Sequence, residues 1–283
     1  MDDSSLLQRV LENAFVLADI WRLQGRWRNA HTLVQGLYPV ALAQGDEAMA
    51  QVCLLDGRIL IDEAMFGGQE TLTASEEVLD RAFVHAQTTQ NAALLGSFWD
   101  AKGFIQHAIY LGSNGSKEPE QELAYFERGL ALRRTVADQR GIAESLFHVG
   151  LVYGVIRHDH TNALPYFEES YRLAQTIGDD VMASYAIRHI GFAHHAAGEG
   201  AAARAAMAES LKLREAAGFL PGAAMALHTM AYAETEYGDK TQAIPYLERA
   251  KSIFEALGVA KYTAWMAAEI EQFRQMERKR ENL

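Results

Sequence analysis

The sequence contains a single cysteine, Cys53, among 283 residues. One cysteine cannot form a disulfide within the chain or build a thiolate metal cluster, and this usage is typical of a reducing compartment. No uninterrupted apolar stretch approaches the ~18 residues that a bilayer span requires. The polar, acidic start from Met1 to Ser5 lacks the basic-then-apolar order of a secretory signal. We therefore expect a cytoplasmic protein that makes no contact with a membrane.

Basic residues are also in short supply. The chain has 26 Lys and Arg against 37 Asp and Glu, which gives a formal net charge of -11. Such a charge repels a phosphate backbone, so nucleic acid is not expected as a partner. The one dense basic run, Arg274 to Arg280, lies in the last predicted helix, where cations complement the helix dipole.

Motifs for catalysis and for cofactors are missing as well. The sequence has no glycine-rich phosphate loop, no Gly-x-Ser-x-Gly elbow and no zinc-protease helix. The segment from Gly112 to Ser116 follows no strand and is predicted to be a loop. His158 and His160 have the His-x-His spacing of a metal clamp, but on an exposed loop they are more typical of a solvated turn. We therefore predict no cofactor and no metal site.

Proline is rare too, with five in the chain, while helix-forming residues fill long windows such as 201–217. The apolar fraction of 49% is high enough for a packed core and too high for a disordered chain. Helix is therefore the predicted secondary structure.

Residues recur along this helical sequence with a period of about 40. Glycines and alanines repeat in one register, and two prolines lie two periods apart: Gly178, Gly218 and Gly258; Ala163, Ala203 and Ala243; Pro165 and Pro245. One unit reads as a short helix, a turn, a longer helix and a connecting turn. Gly25, Gly198 and Gly238 mark the turn inside the unit, where Gly supplies the left-handed conformation that ends a helix. The fourth unit has one extra residue, which we place in its internal turn.

At these positions the chain resembles the tetratricopeptide repeat family. Leu17 to Trp21, followed by Gly25, matches the family pattern in the first unit, and Ile190 and Gly191, followed by Gly198, match it in the fifth. The period exceeds the family's ~34 residues, which implies lengthened second helices. Long-period arrays of this kind are similar to those of bacterial signalling and transcription regulators.

The resemblance implies an all-α fold, a right-handed α-solenoid of about six helix hairpins plus a C-terminal capping helix. It implies one domain over residues 1–283, with units at about 8–46, 47–91, 92–140, 141–180, 181–220 and 221–259 and the cap at about 260–281. Because a single hairpin cannot bury both of its apolar faces, each unit is completed by its neighbour. The cap is expected to turn Trp265 and Ile270 inward and Glu277 outward.

In tetratricopeptide arrays the first helices line a concave groove, through the positions three before and one and four after the glycine-like position of each unit. These positions share one stripe of a helix. Carried over to this sequence, they predict a ligand-binding face of aromatic, apolar and charged residues: Asp19, Arg58, Asp100, Phe104, His107, Leu151, Arg188, Phe192, His195, His228 and Tyr232. Apolar walls with a few convergent polar groups are typical of binding sites. The alternative is that inserted loops or a tight superhelix bury these aromatics as core.

The leading interpretation is a scaffold or receptor that holds a peptide, a protein segment or a small anionic ligand in the groove. Aromatic residues supply contact area, and Arg58 and Arg188 meet acidic groups. If these arginines instead pair internally with Asp100 or Asp19, they are not ligand contacts. The Lys and Asn clamp that the family uses for a C-terminal carboxylate is not reproduced, because residues such as Asp19 and Arg58 occupy its Asn position.

Two further interpretations stay open. The groove could be the closed pocket of an enzyme or of a small-molecule receptor. Asp100 and His107 lie two turns apart on one predicted helix face, and His195 and His228 approach from neighbouring units. The other interpretation is a structural role in self-assembly. The sequence does not predict the oligomeric state.

Overall fold

The computed structural model describes residues 3–113, 115 and 121–281. Over these residues the chain forms thirteen α-helices and no strand. Their bounds are α1 Asp3–Leu23, α2 Trp27–Gln44, α3 Asp46–Gly67, α4 Leu72–Thr89, α5 Ala92–Gly112, α6 Glu122–Thr135, α7 Gln139–Leu151, α8 His160–Ile177, α9 Asp180–Ala196, α10 Gly200–Ala216, α11 Leu220–Tyr237, α12 Ala243–Ala256 and α13 Ala260–Glu281. The predicted all-α fold is confirmed. Asn114 and Ser116 of the predicted loop, and the side chain of Glu277, lie outside the described residues.

Apolar residues at helical spacing specify how these helices pack. In α8 the buried residues Ala163, Phe167, Ser170 and Ala174 follow one stripe of the helix, and α8 packs against α9. The start of α9 is fixed by Asp179, whose side chain accepts a hydrogen bond from the backbone N–H of Met182 at 2.9 Å. Sequence pattern and capping therefore agree on where the helices begin and which face they bury.

Small residues let the two helices of a hairpin approach closely. A Cβ atom on Gly103 would lie 2.5 Å from Cε1 of Phe126. A Cβ atom on Gly191 would lie 3.0 Å from Cγ of Met207 and 3.3 Å from the carbonyl oxygen of Ala203. Both glycines therefore face the second helix of their own hairpin, which is the register that the repeat predicts.

The turns inside the hairpins are not all alike. Gly198 has the predicted left-handed conformation, with φ 77°. The same prediction for Gly238 is wrong, since φ is -137° and ψ is -140° there. The chain leaves α11 in an extended conformation, and Asp239 then accepts a hydrogen bond from the N–H of Thr241 at 3.0 Å. A short 3₁₀ turn over Lys240–Gln242 follows, so no left-handed residue is needed.

The extra residue of the fourth unit lies within a helix and not in the internal turn. Helix α7 continues into a π-helical turn over Val152–Ile156, and a π turn absorbs one additional residue without ending the helix. The turn that follows, from Arg157 to Asp159, is as long as the turn from Ala197 to Glu199 in the fifth unit. The predicted location of the extra residue is therefore corrected.

The chain divides into two compact units, Met1–Arg157 and His158–Leu283, which we call the N-terminal unit and the C-terminal unit. The N-terminal unit contains the hairpins α1–α2, α3–α4 and α5–α6 together with α7, and Phe126 is fully buried in its core. The C-terminal unit contains α8, the hairpins α9–α10 and α11–α12, and α13, and Phe254 is fully buried there. The single domain over 1–283 stays a prediction. No described helix is both long enough and apolar enough to cross a membrane.

Candidate functional site

Arg58 and Asp19 of the predicted face have charged partners within the N-terminal unit. Arg58 is exposed on α3, and its guanidinium lies 2.9 Å from the carboxylate of Glu144 in α7. Asp19 on α1 lies 2.7 Å from Arg22. Burial by itself would raise the pKa of Asp19, but the charges of Arg22 and Arg58 outweigh it and hold the pKa below its ordinary value. The closest partner of Arg58 is therefore Glu144 and neither Asp19 nor Asp100.

Asp100 is enclosed where α5, α6 and α7 pack together. Only 2% of Asp100 is exposed, and it accepts hydrogen bonds from Arg133 and from Ser145. Arg133 is also 2% exposed, and it donates to the carbonyl oxygen of Gly141 at 2.6 Å and to Glu144 at 3.1 Å. A buried ion pair with these additional hydrogen bonds is held as a unit. Asp100 therefore does not line an open surface.

His107 and Leu151 are each only 3% exposed. The Nδ1 atom of His107 lies 2.9 Å from Oε1 of Glu122, and the half-buried Phe104 stacks on the His107 ring with centroids 5.7 Å apart. Asp100 and His107 thus have different partners and do not form the acid and base pair considered from the sequence. Of the predicted face residues in this unit, Asp100, His107 and Leu151 belong to the buried interior.

The predicted residues of the C-terminal unit are more accessible. Arg188, Phe192 and His228 are half-buried, and Tyr232 is 42% exposed. His195 is exposed, with Nδ1 2.5 Å from the hydroxyl of Tyr237. This part of the predicted face is therefore partly exposed to solvent.

His228 lies among aromatic rings and two charged groups. Its ring centroid is 4.5 Å from Trp265 and 5.2 Å from Tyr232, and its Nε2 atom is buried without a hydrogen-bond partner. Burial lowers the pKa of His228 to about 4; Arg188 acts in the same direction, and Glu269 opposes it. Tyr232 donates a hydrogen bond to Glu269. His228 is therefore neutral at pH 7.

Arg188 has no carboxylate partner among the described residues, since its electrostatic neighbours are Arg214 and Tyr185. Its Nε and Nη2 atoms donate to the hydroxyl of Thr229 at 3.2 and 3.0 Å, and its guanidinium lies 4.6 Å from the ring centroid of Phe192. Burial, and then the charge of Arg214, lower the pKa of Arg188 to about 9. The surroundings of Arg188 are thus positively charged, and Arg188 itself is half-buried.

Arg214, on the second helix α10, was missed by the sequence reasoning. It is 2% exposed, and its Nη1 atom donates to the carbonyl oxygen of Gly222 at 2.8 Å. Its guanidinium lies 4.9 Å from the ring centroid of Tyr185 and 5.6 Å from that of Phe219. Its Nε atom is buried without a hydrogen-bond partner. Burial lowers the pKa of Arg214 to about 10.

The sequence did carry a signal for Arg214. The buried residues of α10 include Ala203, Met207 and Ser210, and position 214 continues the same helical stripe. An arginine at the end of a buried stripe indicates a cation inside the packing. The predicted face includes positions on first helices alone and therefore leaves out Arg214.

No group of three or more His, Cys, Asp and Glu side chains in the described ranges is placed to hold a metal ion. A surface pocket lies between α12 and α13, and residues predicted for the face do not line it. It is bordered by Glu248, Lys251, Ala267, Ile270 and Arg274. Arg274 and Glu248 pair across it at 2.9 Å, and Lys251 pairs with Glu255 at 2.5 Å.

No family model matches the sequence, and no curated protein sequence matches it. Solved structures do match the fold. NprR in complex with its cognate peptide NprX matches with a TM-score of 0.57 at 13% identity, over 98% of this chain and 78% of that one. A Rap protein complexed with Competence and Sporulation Factor matches with a TM-score of 0.50 at 12% identity, over 91% of this chain and 80% of that one.

A third match is a signal transduction ATPase with numerous domains and a tetratricopeptide repeat sensor, from Pyrococcus horikoshii. Its TM-score is 0.56 at 12% identity, over 98% of this chain and 45% of that one. The chain thus spans less than half of that protein. At these identities the matches concern the fold alone, and they show that this chain has a tetratricopeptide-like helical repeat fold.

Proposed function

We propose that this chain is a binding protein that holds a peptide against its C-terminal unit. The contact surface consists of Arg188, Phe192, His228 and Tyr232, which we call the Arg188 face. The observation that carries the proposal is the half-buried guanidinium of Arg188, which has no carboxylate partner among the described residues and lies beside partly exposed aromatic rings.

The chemistry of the Arg188 face suits a peptide. Phe192 and Tyr232 supply apolar contact area, while Arg188 supplies a charged donor for an acidic group. The solved structure of NprR, which has a similar fold, contains a peptide, and this supports peptide as the class of ligand.

The structure favours binding over catalysis. Asp100 and His107 are buried with separate partners, so they supply no paired acid and base. His195 is exposed and next to Tyr237, so it does not lie in an enclosed pocket. Tuned acid and base groups in one dry pocket, as an enzyme of this type needs, are therefore not assembled from the residues that the sequence indicated.

Native mass spectrometry of the freshly purified full chain tests the proposal, with selection from a displayed random peptide library as a second source of ligand. Affinity for the peptide found is then measured by calorimetry on the Phe192→Ala and Tyr232→Ala variants. Tyr246→Ala is the matched control, because Tyr246 lies on the second helix α12 and outside the Arg188 face.

We expect a defined peptide mass, and a loss of affinity of about tenfold or more in the two face variants but not in the control. A retained small molecule in place of a peptide would overturn the proposal. So would the failure of both sources to yield a peptide, or equal affinity in all variants.

A further inference from the structure

Two arginines occupy equivalent places in the two units. Arg133 in α6 and Arg214 in α10 lie two repeats apart, each on a second helix. Each donates from Nη1 to the carbonyl oxygen of a glycine eight residues further on, Gly141 at 2.6 Å and Gly222 at 2.8 Å. Both arginines are 2% exposed. We call this shared place the arginine slot.

In the N-terminal unit the slot is neutralised. Arg133 bonds to Asp100 and lies 3.1 Å from Glu144 and 3.8 Å from Asp138. Ser145 completes the set by accepting from Arg133 at 3.0 Å and donating to Asp100 at 2.6 Å. This is the arrangement expected for a buried guanidinium, because a buried charge requires an opposite charge close by.

In the C-terminal unit every one of these carboxylates is missing. The equivalent positions are Arg188 for Asp100, Phe219 for Asp138 and Met225 for Glu144. The correspondence is fixed by the glycines, since Asp100 and Arg188 each lie three residues before the close-packed Gly103 and Gly191. The slot therefore contains a second cation where its counterpart contains an anion.

The remaining contacts of the two cations are neutral. Arg188 has the hydroxyl of Thr229 and the ring of Phe192, and Arg214 has the carbonyl of Gly222 and the rings of Tyr185 and Phe219. Aromatic faces attract a cation more weakly than a carboxylate does. The Nε–H groups of Arg133 and Arg214 are both buried without an acceptor, so the two slots differ in their charges and not in that donor. The slot of the C-terminal unit thus has two like charges and no carboxylate among the described residues.

We infer that Arg188 and Arg214 bind a carboxylate group of the ligand, which compensates Arg214 as Asp100 compensates Arg133 in the N-terminal unit. The choice of carboxylate follows from that internal counterpart, in which carboxylates compensate the buried guanidinium. The inference deepens the proposed function, because the peptide supplies the carboxylate from an Asp or Glu side chain or from its C-terminus. The site for the anion itself does not depend on the peptide.

The test uses acetate as the probe, with acetamide as its neutral isostere and inorganic phosphate as a different anion, each titrated into the full chain at matched ionic strength. Thermal unfolding reports binding, since an anion bound to the folded state alone raises the melting temperature. The variants are Arg188→Met and Arg214→Met. Arg172→Met is the control, because Arg172 is an exposed arginine of the same unit and the same charge is removed.

We expect acetate, but not acetamide, to raise the melting temperature of the wild type and of the control variant. In the two slot variants the midpoint concentration of acetate should rise by about tenfold or more. Arg188→Asp gives an independent test, because it places a carboxylate of the chain beside Arg214 and removes one of the two like charges. This variant should fold and lose the response to acetate. The Arg188→Asp result keeps the test decisive if a methionine variant fails to fold.

An unchanged acetate response in Arg188→Met or Arg188→Asp would overturn the inference, and so would a response to phosphate without one to acetate. An acetate response without any bound peptide would support the anion site and contradict the proposed function. Peptide binding that is unaffected by Arg188→Met would support the proposed function and contradict the inference about the anion site. Amidation of the peptide's C-terminus, compared with Asp→Asn and Glu→Gln changes within it, separates the two sources of the carboxylate.

Discussion

Replacing Arg133 with methionine is expected to destabilise the N-terminal unit strongly. The change removes the cation from a site in which Asp100 is 2% exposed and Glu144 is held close by. Methionine is nearly as long and fills much of the same volume, so lost packing is a small part of the effect. The substitution also removes the hydrogen bonds that Arg133 donates to the carbonyl oxygen of Gly141 and to the hydroxyl of Ser145.

The magnitude follows from the burial of the pair. Removing one partner of a buried ion pair costs about 3–5 kcal/mol, because the other charge is left uncompensated. Ser145 still donates to Asp100 at 2.6 Å, and Arg58 still pairs with Glu144 at 2.9 Å, which places the expected cost near the lower end, about 3 kcal/mol. For a folding unit of this size, each kcal/mol lowers the melting temperature by about 2–4 °C. The expected decrease is therefore about 6–12 °C.

Circular dichroism melting at pH 7 measures this, with Arg214→Met as the matched comparison. Arg214 has the same fold position and burial, but the described residues give it no carboxylate partner, so its removal relieves a repulsion with Arg188. We expect Arg214→Met to change the free energy of unfolding by no more than about 1 kcal/mol, because the loss of one hydrogen bond and of two aromatic contacts is set against that relief. A decrease below about 2 °C for Arg133→Met, or equal decreases in both variants, would refute the reasoning.

Three further outcomes are expected. Gly191→Leu should lower the free energy of unfolding by about 1–3 kcal/mol, since α10 leaves no room for a side chain, and an unchanged melting temperature would show that the helix register is wrong. Burial lowers the pKa of His228 from 6.5 to about 4; Arg188 acts in the same direction, and Glu269 on α13 opposes it. The contribution of neutral His228 to stability is therefore present above about pH 6.5 and is lost as the pH falls towards 4. His228→Gln should flatten this part of the stability profile, and a profile identical to that of the wild type would contradict the assignment. The thiol of Cys53 is buried and its pKa is raised, so it should react with a thiol reagent only at the rate of unfolding; fast reaction of the native chain would contradict its burial.

The helices and their register could be predicted because both depend on local pattern. The repeat of about 40 residues assigns Gly103 and Gly191 to the same position of their units, and the structure places both against the second helix of their hairpin. The third unit keeps this contact although its sequence matches the repeat poorly. The sequence also drew attention to Arg188, because the resemblance to tetratricopeptide repeats implies that this position lies on the inner stripe of a first helix.

The burial and the bonding partners of each candidate side chain could not be predicted in the same way. Asp100 and Arg188 occupy equivalent positions, yet one is enclosed by an ion-pair network and the other is half-buried beside neutral groups. The difference is made by residues on other helices, such as Arg133 and Glu144, whose distance along the chain gives no hint of contact. The conformation of Gly238 depends similarly on the 3₁₀ turn that follows it. Burial and pairing are tertiary properties, and periodicity does not report them.

In a repeat protein, equivalent positions of two repeats can be compared to judge whether a buried charge is unusual. In the arginine slot of the N-terminal unit the charge of the guanidinium is compensated by a carboxylate at position 100 and by a second one 3.1 Å away at position 144. The slot of the C-terminal unit keeps the arginine and its bond to the backbone carbonyl, and it replaces the facing carboxylate with a cation. Two like charges, one buried at Arg214 and one half-buried at Arg188, lower stability, and an apolar residue at either position would remove that cost. An anion that binds in the slot offsets this cost, because it is attracted to both guanidinium groups and compensates the repulsion between them. Part of the binding free energy is then the relief of a repulsion that is present in the folded chain without ligand.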